Sequence, residues 1–305
     1  SDEAVCEEAA TRLCTSMHWS SPSGQAAALG LIFFFCFSAY DTIQVFAKRL
    51  YHGDTGTNAT LCVYAFFTVG CLFVAPIVAY LGERLSIAVG VLCYASLVVA
   101  GLVYLVTGYA DWLILLGGST LGCGAALLWT AQGSLILAYG ASEASRGRVF
   151  AIFWSLYRAA PLLGGVLSLC YFSLQDEDHK SAGSPTLFAI FLALIVCGAC
   201  CTLFLRDPTA VREPSEHASS RTAPLLSDGA QRSVPVNATA TLRHAVTDGA
   251  MLSLALLFCA SGFNEVYVLS EFSRLVSTRA VGLEEIAFYL GSCLGAQCSG
   301  RLLYI

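Results

Sequence analysis

One stretch near the middle of the chain, residues 115–165, limits what the protein can fold into more than any other. It holds two long apolar arms, which are separated by the hydrophilic sequence ASEASRGR at 141–148. A helix needs about 20 predominantly apolar residues to cross a bilayer, and each arm supplies that length, the second because its apolar run continues to residue 169. The stretch therefore predicts two membrane-spanning helices joined by a short polar connection.

Several side chains in these arms are unusual for a lipid environment. Trp129, Gln132 and Arg158 lie at depths where lipid offers no hydrogen bonds, so they must face other protein or a water-filled cavity. Gly118 and Gly122 form a GxxxG pair, a spacing that lets a neighbouring helix approach closely. We therefore expect both arms to pack inside a bundle.

The composition indicates a membrane protein and argues against an enzyme. Only 12% of the residues are charged, against about 25% in soluble domains, and the net charge of −5 leaves no basic patch for nucleic acid. Twelve of the 14 cysteines lie in apolar runs, where cysteine behaves as a small hydrophobe. This applies to the nominal CxxC of Cys197 and Cys200. No metal, phosphate-binding or nucleophile motif occurs, so we expect no catalytic residue, metal site or cofactor.

Six further apolar runs bring the number of predicted spans to eight. Outside the central stretch, the predicted spans are about 28–50, 61–80, 87–107, 186–205, 250–269 and 285–304. We accordingly divide the chain into a cytosolic tail (1–27), a six-helix half (28–205), a disordered cytosolic linker rich in Ser, Thr, Pro and Arg (206–246), and the start of a second half (247–305).

An internal repeat links the two halves. The sequence FCFSAYDTI at 35–43 reappears as FCASGFNEV at 258–266, at a constant offset of 223. The repeat aligns Asp41 with Asn264 and places Glu265 beside it. Parallel repetition of this kind is a common plan of transporters. Gln44 follows Asp41 on the polar face of the first predicted span.

The distribution of Lys and Arg predicts the orientation. With the N-terminus in the cytosol, ten of the sixteen Lys and Arg residues lie on the cytosolic side and five on the other, and Arg158 lies within a span. This orientation puts the sequon at Asn58 outside, where it can be glycosylated, and the sequon at Asn237 in the cytosol. We therefore expect an integral, multi-pass membrane protein with a cytosolic N-terminus.

A resemblance to a known family makes the fold prediction more specific. GAALLWTAQG at 124–133, followed by GRVFAIFW at 147–154, resembles the signature of the UNC93-like proteins, a branch of the major facilitator superfamily that includes the MFSD11-type proteins. The resemblance implies an all-α polytopic membrane protein with a major facilitator fold. In such a protein, this chain would supply the N-terminal six-span half and the first two spans of a truncated second half, leaving four spans missing.

The resemblance also implies function, and two alternatives stay open. In the first, the protein is a transporter or facilitator of a small solute or ion, with a site at the membrane midplane between the halves. In the second, it is a non-transporting regulatory or trafficking subunit of an ion channel, such as a potassium channel, or of a membrane receptor. Besides these partners, we expect only membrane lipids. The membrane of residence, plasma or endolysosomal, stays open.

The resemblance places the first span along the cavity, with the fifth span beside it. An unpaired charge at the bilayer centre costs ~2.5–3.5 kcal/mol on insertion scales, so we predict that Arg158 pairs with Asp41, with Glu265 as the rival partner. Two roles stay open for this pair: it either joins two helices structurally or forms part of a substrate or coupling-ion site. The candidate cavity or ion-pair residues are Asp41, Gln44, Trp129, Gln132, Arg158, Asn264 and Glu265.

Overall fold

The computed structural model describes residues 19–108, 110–141, 143–173, 184–207 and 246–270, with a few single positions beyond these ranges. This part of the chain forms helices and contains no strand. The helices are α1 (Pro22–Leu50), α2 (Thr55–Leu81), α3 (Glu83–Thr107), α4 (Asp111–Tyr139), α5 (Glu143–Ser173), α6 (Pro185–Cys201), a 3-10 turn (Thr202–Phe204) and α7 (Gly249–Ser270).

Six helices, α1 to α6, contain segments that are long and apolar enough to span a membrane, as predicted. The seventh predicted span corresponds to α7, whereas the eighth, at 285–304, lies outside the described residues except for two single positions. The N-terminal tail, most of the linker and the sequon at Asn237 also lie outside them.

Local sequence explains where several helices begin and end. The Ser21 hydroxyl accepts a hydrogen bond from the Gly24 amide at 3.1 Å, and Pro22 occupies the first turn, where its missing N–H costs nothing. Gly82 alone separates α2 from α3 and has a φ of +80°, a conformation that suits glycine because it has no Cβ. The two helices are therefore joined by a one-residue turn.

Three helices begin six residues earlier than the apolar runs suggest. α1, α2 and α5 start at Pro22, Thr55 and Glu143, each six residues before the predicted start of its span. The physical reason is that the head-group zones extend the bilayer from about 30 Å to about 40–45 Å, so polar residues there can continue a helix. The hydrophilic break at 141–148 therefore belongs mainly to α5, and the connection before α2 is shortened to 51–54.

The six spans pack as two groups of three. α1 packs extensively on α5 and α6, α4 packs on α2 and α3, and contacts between α3 and α6 join the groups. α1 is the most buried of the spans. A residue on α1 can therefore meet side chains from several other helices at once.

Glycines on α4 allow two close helix contacts. A Cβ on Gly118 or Gly122 would run into the backbone of α2 at Ala59 or Val63, so this pair forms the contact surface for α2. The GxxxG prediction is confirmed. Gly117 and Gly124 point elsewhere and bring α4 against α3. Small residues of this kind let van der Waals packing hold helices together in lipid.

A buried glutamine fixes one end of the bundle, which we call the Gln25 end. Gln25 is fully buried, and its Nε2 donates to the carbonyl oxygens of Trp19 at 2.5 Å and Phe204 at 3.2 Å. Its Oε1 accepts from the Arg206 amide at 2.6 Å. The Tyr139 hydroxyl adds a hydrogen bond to the Arg206 carbonyl oxygen at 2.7 Å. The start of α1, the end of α4 and the end of α6 are thereby joined.

The opposite end is held by Tyr104, and we call it the Tyr104 end. The Tyr104 hydroxyl lies 2.5 Å from His52 Nδ1 and accepts from the His52 amide at 3.2 Å. Nearby, the Thr55 hydroxyl donates to Asp111 Oδ1 at 3.0 Å. These contacts join the end of α1 and the start of α2 to α3 and α4.

Candidate functional site

A group of aromatic side chains from four helices meets inside the bundle. Phe33 of α1 and Trp129 of α4 have ring centres 5.0 Å apart, and Tyr157 of α5 lies 5.2 Å from Trp129. Edge-to-face pairs at this spacing contribute about 0.5–1.5 kcal/mol each beyond the burial of their area. We call the following six residues the aromatic layer: Phe33, Phe37, Tyr94, Trp129, Phe153 and Tyr157.

The aromatic layer sits near the middle of the membrane-spanning segments. Phe33, Tyr94, Trp129 and Phe153 each lie 10 or 11 residues from the terminus of their helix at the Gln25 end. At a rise of about 1.5 Å per residue, that distance is about 15–17 Å along each helix. Four helices therefore contribute aromatic rings at one depth.

The aromatic layer has a buried side and an accessible side. Phe33 and Phe153 are fully buried, whereas Trp129 and Tyr157 are half-buried. Trp154, one residue from Phe153, is 39% exposed and stacks on Trp129 with ring centres 6.4 Å apart. The accessible side therefore lies where α4 and α5 are neighbours.

Arg158 lies at this accessible side. Its guanidinium carbon is 5.6 Å from the centre of the Tyr157 ring, within the range of a cation–π contact. The side chain is half-buried. A cation at this depth is costly in lipid alone, so its position beside aromatic faces supports the predicted polar or cavity-facing role.

Asp41 lies on α1, one turn beyond Phe37, and is 7% exposed. The register between α1 and α5 is fixed by two contacts. The Ser38 hydroxyl donates to the Ala160 carbonyl oxygen at 2.8 Å, and a Cβ on Gly164 would collide with the Thr42 hydroxyl. This register puts Arg158 about five residues, or ~7.5 Å, below Asp41 along the helix direction. The predicted pairing of the two charges keeps a compatible geometry and stays a prediction.

The other amide candidates divide between two places. Gln132 follows Trp129 by one turn on α4 and is buried, so it belongs to the surroundings of the aromatic layer. Gln44 instead contacts α2, where its Nε2 donates to the Tyr64 hydroxyl at 3.2 Å. Gln44 and Tyr51 also line a cavity of about 20 Å³ between α1 and α2, a volume of the order needed for one water molecule. Gln44 is therefore separate from the main cluster.

The two candidates on the second half cannot be placed at the cluster. The backbone of α7 is described through residue 270, but the side chains of Asn264 and Glu265 are outside the described ones. α7 contacts α1. The predicted alternative pairing of Arg158 with Glu265 therefore stays a prediction.

The structure adds aromatic residues that the sequence reasoning did not select. Phe33 and Phe37 on α1, and Phe153 and Tyr157 on α5, are each four residues apart, so each pair lies on one helix face. This four-residue spacing is the sequence signal that could have identified these residues. In an apolar span, however, aromatic residues also face lipid, and the spacing alone does not tell which face is inside.

The sequon residue Asn58 is exposed near the Tyr104 end, but it lies in a helix and not in the predicted loop. Its backbone N–H donates to the Asp54 carbonyl oxygen at 2.8 Å, and the Thr60 hydroxyl donates to the Gly56 carbonyl oxygen at 3.1 Å. The acceptor site therefore occupies the first two turns of α2. Among the described residues, no three His, Cys, Asp or Glu side chains are grouped so as to hold a metal ion.

Comparison with known proteins gives a family match. A family model described as "Ion channel regulatory protein UNC-93" matches residues 52–290. UNC93-like protein 1 of Arabidopsis thaliana is 24% identical over 292 residues, covering 93% of this chain and 59% of the relative. Protein unc-93 homolog A of Bos taurus is 24% identical over 310 residues, covering 88% and 65%.

A third relative carries the MFSD11 name. UNC93-like protein MFSD11 of Xenopus laevis is 23% identical over 299 residues, covering 90% of this chain and 64% of the relative. The chain thus spans 59–65% of the length of these three relatives.

Proposed function

Because this chain belongs to the UNC-93 family, whose model matches most of its length, we propose that it is part of a transmembrane transporter or facilitator of a small solute or ion. The observation that carries the proposal is the aromatic layer at mid-depth, with Arg158 and the buried Asp41 beside it. Charged side chains within spans typically mark substrate or ion pathways. A major facilitator fold, with a second half facing this one, belongs to the same proposal.

The accessible side of the aromatic layer supports a binding site there. Trp129, Trp154 and Tyr157 offer ring faces and polar ring atoms, and Arg158 offers up to five N–H donors. A solute held there would contact α4 and α5 and lie beside α1. Aromatic rings with a few placed polar groups are a common composition of small-molecule sites.

The test uses the full-length native protein in liposomes with a panel of labelled solutes that covers anions, cations and neutral molecules. We expect uptake of at least one solute above that of protein-free liposomes, and a reduction of about tenfold or more in Trp154→Ala and Arg158→Gln. Val196→Ala is the matched control, because Val196 is an exposed apolar residue of α6, a helix that contributes no residue to the layer. Unchanged uptake in both site variants would show that the aromatic layer is not part of the transport path.

A regulatory role in an ion channel or receptor complex is the second candidate, because the matching family model is described as an ion channel regulatory protein. Co-expression with a panel of potassium channels, followed by current recordings, tests this role. A current that changes by about twofold or more, with a channel subunit that co-purifies at fixed stoichiometry, would support it. If no solute is taken up in liposomes while such a partner is found, the regulatory role is correct and the transport role is wrong.

We propose that the N-terminus is cytosolic. Four arginines of the described part are exposed at the Gln25 end, namely Arg84, Arg146, Arg148 and Arg206. Cytoplasmic loops carry an excess of Lys and Arg, so this end is assigned to the cytosol.

A further inference from the structure

α6 ends in three closely spaced cysteines, Cys197, Cys200 and Cys201. The packed face of α6 includes Phe188, which lies against Gly101 of α3, and Gly198, which lies against α1, and Cys201 packs at the edge of this face. Cys197 and Cys200 are exposed on the other side of the helix, and Cys201 is half-buried. In a membrane, the exposed side of α6 is in contact with lipid.

The fold places these thiols near the Gln25 end of α6. Cys201 is the last residue of α6, and the 3-10 turn that follows leads to the exposed Arg206. Cys200 precedes Arg206 by six residues, which would be ~9 Å along an α-helix and is somewhat more here, because Thr202–Phe204 is a 3-10 turn and Leu205 is extended. The hydrogen bonds of Gln25 to the Phe204 carbonyl and the Arg206 amide hold this segment at the Gln25 end.

An aromatic pair lies just beyond the cysteines, at the Gln25 end of the bundle. Trp19 and Phe204 have ring centres 5.9 Å apart, and both are at least half exposed. Tryptophan is enriched at the membrane–water boundary, because its ring is apolar and its N–H is polar. The thiols of Cys200 and Cys201 therefore lie close below the head-group region, on the side that the charge distribution assigns to the cytosol.

We infer that Cys200 and Cys201 form a site of S-acylation by a long-chain fatty acyl thioester. Juxtamembrane cysteines on the cytosolic side are the usual substrates of this modification. The inference rests on the cytosolic assignment of the Gln25 end in the proposed function. A redox or metal role for the CxxC is disfavoured, because Cys197 and Cys200 face lipid and have no cluster of metal-ligating side chains around them in the described part.

The chemical step balances without an oxidant or reductant. The thiol Sγ attacks the thioester carbonyl carbon of fatty acyl coenzyme A, a new S–C bond forms, and the bond from that carbon to the coenzyme A sulfur breaks. The proton of the cysteine thiol ends on the released coenzyme A thiol. The attached chain can lie along the exposed face of α6, beside Val196 and Ile190. Apolar surface of that kind matches a hydrocarbon chain.

A mass-tag assay on the full-length native protein in cells tests the site. Free thiols are blocked with N-ethylmaleimide, thioesters are cleaved with neutral hydroxylamine, and the new thiols are labelled with a polyethylene glycol maleimide that shifts the gel band. We expect hydroxylamine-dependent shifted bands in the wild type. Cys200→Ala and Cys201→Ala should each remove one step of the band pattern, and the double variant should remove both.

Cys170 provides the matched control. It is an equally exposed cysteine near the end of α5, but at the Tyr104 end. Cys170→Ala should leave the band pattern unchanged. Because Cys200 packs against no other helix through its exposed side, its single variant tests the site even if the double variant fails to accumulate.

The possible outcomes distinguish an error in the acylation site from an error in the membrane orientation. A double variant that keeps every shifted band would overturn the inference. Loss of a band in Cys170→Ala, with no loss in the Cys200 and Cys201 variants, would overturn the cytosolic assignment of the Gln25 end as well. Loss in the Cys200 and Cys201 variants without any solute uptake in liposomes would leave the acylation site correct and the transport proposal wrong.

Discussion

Ser38 and Gln25 are fully buried polar residues of α1, and each bonds to backbone atoms of another segment. A buried polar group without a partner costs about 1–3 kcal/mol, and water is absent from the lipid core to replace one. Such residues therefore fix which backbone lies beside them. Gln25 does so most completely, because its amide serves both as donor and as acceptor.

The first prediction concerns Gln25. Gln25→Leu leaves the Arg206 amide and the Trp19 and Phe204 carbonyls without this partner, so we expect a destabilisation of about 2–4 kcal/mol. The melting temperature of the detergent-solubilised protein should fall. Thr68→Val is the control, because the Thr68 hydroxyl is exposed and bonds only within its own helix to the Tyr64 carbonyl. Equal melting temperatures for the two variants would contradict a role of Gln25 in joining the helix ends.

The second prediction concerns the charges beside the aromatic layer. Arg158→Asp should strongly reduce accumulation of the protein, because it places two carboxylates where we expect an ion pair, and unpaired charge at mid-membrane costs ~2.5–3.5 kcal/mol. Combining it with Asp41→Arg should restore accumulation, measured by immunoblot of membrane fractions. Recovery only with Glu265→Arg would identify Glu265 as the partner and make the Asp41 assignment wrong.

At the scale of the helix, α4 depends on its glycines. Gly118 and Gly122 admit α2, and Gly117 and Gly124 admit α3, so one helix holds two neighbours through two small-residue faces. In lipid, close packing must replace the hydrophobic drive that holds soluble helices together. α5 has a different local feature, since it contains Pro161, which has no N–H to donate to the preceding turn.

The third prediction uses two glycines of α4. Gly122→Leu forces a side chain into the α2 backbone at Val63, so we expect at least the ~1–3 kcal/mol of an overpacked core and a lower melting temperature. Gly133→Leu is the matched control, because a Cβ there meets open space, and it should leave stability nearly unchanged. Similar loss in both variants would mean that helix propensity or insertion, and not the α2 contact, sets the effect.

At the scale of the whole molecule, the described arginine side chains are concentrated at one end of the bundle. The exposed arginines of the Gln25 end, such as Arg146 and Arg148, contrast with the exposed Asp54 and Asp111 at the Tyr104 end. Loops rich in Lys and Arg stay in the cytosol. The same orientation decides whether Asn58 can be glycosylated and whether Cys200 can meet acyl coenzyme A.

The fourth prediction tests this orientation. Glycosidase treatment should shift the gel mobility of the wild type and of Asn237→Gln, but not of Asn58→Gln. A shift that disappears only in Asn237→Gln would falsify the cytosolic N-terminus. Since the sequon lies in the first turns of α2, an independent measurement is needed. In sealed microsomes with the cytosolic face outward, an impermeant maleimide should label Arg148→Cys above the wild-type background directly, and His52→Cys above that background only after detergent is added.

The sequence by itself determined the number and order of the first seven helices. These are local properties, because an apolar run of about 20 residues forms a helix in lipid whatever its neighbours are. The starts of α1, α2 and α5 were missed by six residues. Polar residues continue a helix through the head-group zone, where hydropathy gives no signal.

Apart from the GxxxG face of α4, only the tertiary structure decided which helix faces meet. It brought Phe33, Trp129 and Tyr157 together at one depth, and it joined Gln25 to Arg206, which is 181 positions away in the chain. In a soluble bundle, an apolar stripe would have indicated the inward face of each helix. In a membrane, the lipid-facing and the inward faces are both apolar, so the rotation of each helix is set by its contacts with other helices and not by its own sequence pattern.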